Sequence, residues 1–190
     1  VLGRALASYN LGELLLERGR LDEAGELLKG ALADFRGARH VVGESATRIN
    51  LGRRFALLGH PDRAEHEFGR AEDLAASASA DEQSVDVAFG RCELCLLTGT
   101  GDPAAALSAI DVGSLSAVKR IRFDILSALA DPQHRIEQLN AALTDASEVG
   151  ALHLVQSASE ALARIDGTQQ DRALSLSDRL GLVARPVFRL

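Results

Sequence analysis

Residues 7–31 of this chain return, landmark for landmark, in residues 47–71. The first copy carries Asn10-Leu11-Gly12, Leu15, Gly19, Ala24, Leu28 and Ala31. The second carries Asn50-Leu51-Gly52, Phe55, Gly59, Ala64, Phe68 and Ala71, each 40 residues further on. A fixed period of this size marks stacked repeats, in which one unit cannot bury its apolar face without a neighbour. The repeat points to a helical interaction scaffold and says nothing of what the scaffold holds.

Within each copy the apolar residues recur at three- and four-residue spacing, as on an amphipathic helix. Leu11 and Leu15 are expected to line a first helix, which Gly19-Arg20 breaks. Leu21, Ala24, Leu28, Ala31, Leu32 and Phe35 then line a second. So short a break leaves only two antiparallel helices side by side. A glycine inside a helix costs about 1 kcal/mol relative to alanine. Gly12 and Gly52 accept that cost at the same place, which predicts close helix contact, with Ala24, Ala31, Ala64 and Ala71 as the matching small positions. Gly19 and Gly59 are expected to end the first helices in the left-handed conformation.

This pattern resembles the tetratricopeptide repeat: Asn-Leu-Gly in the first helix, a large residue after it, a turn glycine and two spaced alanines. Ser8 and Arg48 depart from it, standing where the family favours a large aromatic, and no proline closes either second helix. The 40-residue period is similar to the long-repeat variant of multidomain bacterial regulators and signalling proteins and of some eukaryotic adaptors.

Fainter copies follow. Val85, Phe89, Cys92 and Leu96 form a stripe before Gly101-Asp102-Pro103, then Ala106 and Ile110. Val118, Ile121 and Ile125 precede Asp131-Pro132, then Ile136, Leu139, Ala142 and Leu143. Val155, Ala158 and Leu162 precede Gly167, with Ala173, Leu176 and Leu180 behind. Pro61, Pro103 and Pro132 all suit the first turn of a second helix. The expected fold is all-α, a right-handed α-α superhelix or solenoid of about five antiparallel helical hairpins in a single domain. Their spans are approximately 4–37, 43–78, 82–112, 115–148 and 150–181, with 182–190 as a tail. Gly113-Ser114 should cut the third hairpin's second helix short and make the superhelical step irregular there.

Hydrophobic residues make up 46% of the chain, enough for a continuous core. The formal net charge of −6 argues against a nucleic-acid surface. No apolar run is long enough to span a membrane, and no leader pattern is seen, so a soluble cytoplasmic protein is expected. A start at Val1 without any Met leads us to expect a piece of a longer polypeptide. Nineteen of the 21 basic residues are Arg, which with the Ala and Gly usage suggests a GC-rich bacterial genome. The apolar start (Val1, Leu2) and the end around Leu182-Val183 and Val187-Phe188 lack the polar cap a repeat array needs. The expectation is that the tail folds back over the last hairpin or that the chain self-associates.

Chemistry-bearing motifs are sparse. Cys92-x-x-Cys95 lacks the second ligand pair of a zinc site and falls mid-helix, where Cys92 takes the core place of Leu11 and Leu51. A redox pair would sit at an exposed helix N-terminus, so a buried apolar role is favoured. His40, His60, His66, His134 and His153 are scattered, and none has a helical i, i+4 His partner. Asp22, Glu23 and Asp62 suit helix N-termini, and Glu65 and Glu67 are assigned to solvated faces. Neither a phosphate loop, a dinucleotide fingerprint nor a nucleophile elbow is present. We therefore expect no enzyme activity, no cofactor and no metal site.

The resemblance implies that first helices line a concave face. That places Tyr9, Glu13, Leu16 and Glu17 beside Ile49, Asn50, Arg53, Ala56 and Leu57, then Arg91, Leu94 and Thr98. Such a surface suits an extended or helical protein segment. Family members that grip a C-terminal carboxylate use Lys, Asn and Arg residues. Asn50 and Arg91 match those places, but Tyr9, Glu13 and Val87 do not, and Glu13 would repel a carboxylate. Two functions follow: a scaffold holding a partner segment or a neighbouring domain, or a sensor whose groove takes a small molecule or peptide and switches an output domain.

Overall fold

A computed structural model describes residues 1–131 and 133–166, and in them the chain is all helix and turn. It forms two compact units that divide between Gly101 and Asp102. The first holds α1 (Leu2–Glu17), α2 (Leu21–Gly37), α3 (Val41–Leu57), α4 (Pro61–Ser77) and α5 (Asp81–Thr98). The second holds α6 (Pro103–Leu107), a 3-10 turn (Val112–Ser114), α7 (Ala117–Ala130), α8 (Arg135–Glu148) and α9 (Leu152–Asp166). No helix among the described residues is long and apolar enough to cross a membrane.

The rhythm of the first unit comes from its turns. Gly19, Arg39, Gly59, Ser79 and Gly99 all have positive φ, one left-handed residue every 20 positions. At the first four of these, the next residue's N–H reaches back to a carbonyl five residues earlier: Arg20 to Leu15, His40 to Phe35, His60 to Phe55, Ala80 to Ala75. That bond closes a helix C-terminus around a left-handed residue and reverses the chain. Gly19 and Gly59 take the conformation without strain; Arg39 and Ser79 accept it between hairpins. His40 has a local task as well, its Nδ1 accepting the Gly43 N–H at 2.9 Å and capping α3.

Within the first unit adjacent helices pack in antiparallel pairs, and the first helices α1, α3 and α5 also touch in sequence. The repeat glycines make this possible. A Cβ on Gly12 would lie 2.9 Å from Leu28, and one on Gly52 2.6 Å from the Phe68 ring. Gly90 of α5 lies against the same ring, its Cβ position 2.5 Å away. Ala24, Ala31, Ala64 and Ala71 are fully buried, as close packing demands.

Several expectations need correcting. Leu11 is exposed, whereas its counterpart Leu51 is buried, because α3 has helices on both sides while, among the described residues, α1 packs mainly on α2 and α3. Val118 and Ile136 are exposed too, each in the first turn of its helix and short of the packed stripe. Glu67 is not on a solvated face; it is half-buried against Arg48. The second helix of the third hairpin ends at Leu107, sooner than Gly113-Ser114 would require. There the Ser108 hydroxyl donates to the Ala105 carbonyl, and Asp111 accepts the Gly113 N–H, so local side-chain bonds replace the helical ladder.

In the second unit α7, α8 and α9 pack on one another around Ile121, Ile125, Leu139, Leu143, Val155 and Leu162. Pro61 and Pro103 open α4 and α6 as expected. Pro132, Gly167, Ala173, Leu176, Leu180 and the 182–190 tail lie outside the described residues.

Candidate functional site

One arginine ties the three first helices together. Arg53 of α3 donates through Nη2 to Glu17 of α1 at 3.0 Å and through Nε to Glu93 of α5 at 3.2 Å. Its Nη1 reaches Asn50 Oδ1 at 3.5 Å, and Asn50 Nδ2 donates to Glu13 at 3.4 Å. Arg53, Glu17 and Glu93 are all mostly covered. Burial alone would lower the Arg53 pKa, but Glu93 and Glu17 hold it above its ordinary value. Tyr9 stands at the same line. Burial first, then the Glu13 and Asp86 carboxylates, push its phenol well above its ordinary value of 10.0, against opposing pulls from Arg53 and Asn50. Two carboxylates, Glu17 and Glu93, thus meet one guanidinium, and Glu13 joins the line through Asn50, so the line carries more carboxylate than guanidinium.

The repeat brings the key charges together. Glu13, Arg53 and Glu93 occupy one position in three successive copies, 40 residues apart, so the sign alternates along touching helices. Glu93 and Asp86 were not expected at this site. The signal for Glu93 was in the sequence: it lies one period beyond Arg53.

The other expected face residues separate. Leu16 is buried with Leu15 and Ala24, with Leu57 packed half-buried against them. Ile49 and Leu94 belong to the core around Phe55, Phe68 and Val87. Arg91 turns toward α4, with Nε 3.0 Å from Glu65 and Nη1 3.0 Å from Glu72. Tyr9, Glu13, Glu17, Asn50 and Arg53 stay together, with Leu57 at their edge.

A second polar cluster replaces the aromatic residue the family favours. Arg48 is buried and donates from Nη1 to Glu67 at 2.7 Å and from Nη2 to Glu44 at 3.0 Å, joining α3 to α4. Arg54 spans the other boundary: its Nε donates to the Leu21 carbonyl at 2.6 Å, in space left by Gly25. Cys92 is fully buried mid-helix and Cys95 half-buried. Among the described residues, no group of three or more His, Cys, Asp or Glu side chains is placed to hold a metal ion.

The family profile of the tetratricopeptide repeat matches residues 3–77, the two hairpins from α1 through α4. These hairpins are tetratricopeptide repeats. Their glycine-spaced, closely packed pairs carry the family's geometry, and tetratricopeptide repeats generally mediate protein–protein interaction as non-catalytic scaffolds. Neither a curated protein nor a solved structure matches the chain.

Proposed function

We propose that this tetratricopeptide-repeat chain is a non-catalytic scaffold that binds a protein or peptide segment along the face of α1, α3 and α5. The observation that carries it is the Glu13–Asn50–Arg53–Glu17–Glu93 line. It fixes three helices into one surface while leaving carboxylate in excess of guanidinium. An acidic surface edged by Leu57 and Tyr9 suits a segment that brings Lys or Arg beside an apolar residue. The long repeat resembles that of bacterial regulators and signalling proteins, which supports a regulatory setting, and the Arg-rich composition suits a bacterial source.

Peptides selected by display against the chain test this. Charge reversal at Arg53 would set three carboxylates against one another between α1, α3 and α5 and disturb the fold itself, so the half-exposed rim is the place to probe. Glu13→Gln should weaken binding with little change in unfolding midpoint, Leu57→Ala should weaken it at a modest cost in midpoint because Leu57 also packs on Leu16, and added salt should weaken it. Arg70→Glu, exposed on α4, should leave binding intact. Peptides indifferent to Glu13 and Leu57 but lost with Arg70→Glu would move the site to the second helices.

A further inference from the structure

The outward face of α1 repeats a face that the fold covers twice elsewhere. On α3 the stripe is Gly43, Thr47, Leu51 and Arg54, and α2 lies across it. A Cβ on Gly43 would fall 2.6 Å from the Phe35 ring, Leu51 is 4% exposed, and Arg54 bonds the Leu21 carbonyl. On α5 the same positions are Gln83, Val87, Arg91 and Leu94, and α4 lies across them. Val87 shares a core with Ala64, Phe68 and Ala71, and Arg91 pairs with Glu65 and Glu72. One period earlier, on α1, stand Gly3, Ala7, Leu11 and Leu14. Nothing lies within 4 Å of a Cβ on Gly3, and Leu11 and Leu14 are each 47% exposed.

The chemistry of the bare stripe differs from its covered counterparts in a useful way. Where α3 and α5 present Arg54 and Arg91, each with polar partners in the covering hairpin, the α1 stripe of Gly3, Ala7, Leu11 and Leu14 is wholly apolar. Its occupant therefore needs no carboxylate opposite, only an apolar stripe and a ring to fill the space above Gly3. Exposed Leu6 widens the apolar area along one edge. An apolar stripe of this extent on a folded surface is a mark of contact.

We propose that this face docks an amphipathic helix of the α2 kind, with small and aliphatic residues along its stripe and an aromatic ring near its C-terminus lying over Gly3. The docked helix stands to α1 as α2 stands to α3 and α4 to α5, extending an interface the fold already uses. This surface is separate from the Glu13–Arg53–Glu93 line and stands or falls without it.

The chain's own second helix serves as the probe. Residues 20–40 are fused ahead of Val1, so that His40 is followed by Val1 as it is natively followed by Val41. Amide exchange in α1 should slow by at least about tenfold relative to the unfused chain, as buried helices exchange more slowly than frayed or one-sided ones. Leu11→Glu with Leu14→Glu should erase that gain in the fused chain, while lowering the unfused chain's unfolding midpoint only modestly, since about half of each side chain is already in water. Should the glutamates disturb α1 themselves, Leu11→Ser with Leu14→Ser reads the same contrast. A fused helix that leaves α1 exchange unchanged overturns the proposal. So does a dimer of the unfused chain in sedimentation equilibrium that disappears with Leu11→Glu and Leu14→Glu, which would give the face to a second copy.

Discussion

The hairpins α1/α2 and α3/α4 share nearly every landmark, yet the same residue does different things in each. Leu51 is buried between neighbours; Leu11, one period earlier, faces outward. Leu28 meets one glycine, Gly12, whereas the larger Phe68 presses on two, Gly52 from its own hairpin and Gly90 from the next. The position equivalent to Gly90 beside the first hairpin is Asn50. A repeat consensus thus fixes where a side chain points, while the flanking helix decides whether it is buried and how large it can be. Volume added in one copy is matched by volume removed in the neighbouring copy.

The largest test of this comparison is at Phe68. Phe68→Ala should cost about 3–5 kcal/mol in urea unfolding, since a fully buried ring leaves a cavity between two glycine-bearing helices. The matching probe is Gly90→Ala, which drives a methyl into the ring and should cost about 1–3 kcal/mol. Combined with Phe68→Leu it should cost much less than the sum of the two, because the smaller side chain of the first hairpin leaves room for it. Simple additivity would break the idea that the two copies trade volume.

Next in size is the pair Leu51→Ala and Leu11→Ala. The first should lose about 2–5 kcal/mol, and the second well under half as much, because about half of the Leu11 side chain is already in water. Equal costs would show that environment is not what separates the two hairpins. Arg53→Met comes third. It removes the guanidinium that Glu17 and Glu93 share, and should cost about 2–3 kcal/mol once partial exposure is allowed for. Glu13→Met, the same change at the same repeat position, removes only a 3.4 Å bond from Asn50 and should cost less than about 1 kcal/mol.

Much of this architecture is legible in the sequence because its causes are local or periodic. The turn glycines, the small positions and the antiparallel pairs follow from residues that repeat in register. What escaped is whatever depends on two elements at once. Glu67 reads as a surface carboxylate until Arg48, buried at an aromatic's place, is seen to need it. Ile49 and Leu94 read as face residues by resemblance, but the close approach of α3 and α5 draws them into the core. The end of α6 at Leu107 was hidden because Ser108 and Asp111 act through backbone bonds that no hydrophobic pattern encodes. The alternation Glu13, Arg53, Glu93 was legible in principle, since period and helix adjacency together predict contact.

The smallest expected effect is also the most selectively observable. Tyr9 stands where the second hairpin has Ile49, and it is the chain's only tyrosine, so alkaline near-ultraviolet absorbance reports it alone. Below about pH 10 the phenol is protonated in both folded and unfolded chains. As pH rises past that value the unfolded chain releases the proton, while burial and the Glu13 and Asp86 carboxylates keep native Tyr9 protonated. The unfolded state then binds fewer protons than the native state, so stability falls with rising pH. Tyr9→Phe should flatten that fall, and Glu13→Gln should shrink it by removing one of the two carboxylates. Native absorbance should stay that of the phenol at a pH where chain unfolded in urea has already ionised. A native Tyr9 that titrates together with the unfolded chain would mean that the first-helix line is open to water at its α1 end, and that the polar surface begins with α3.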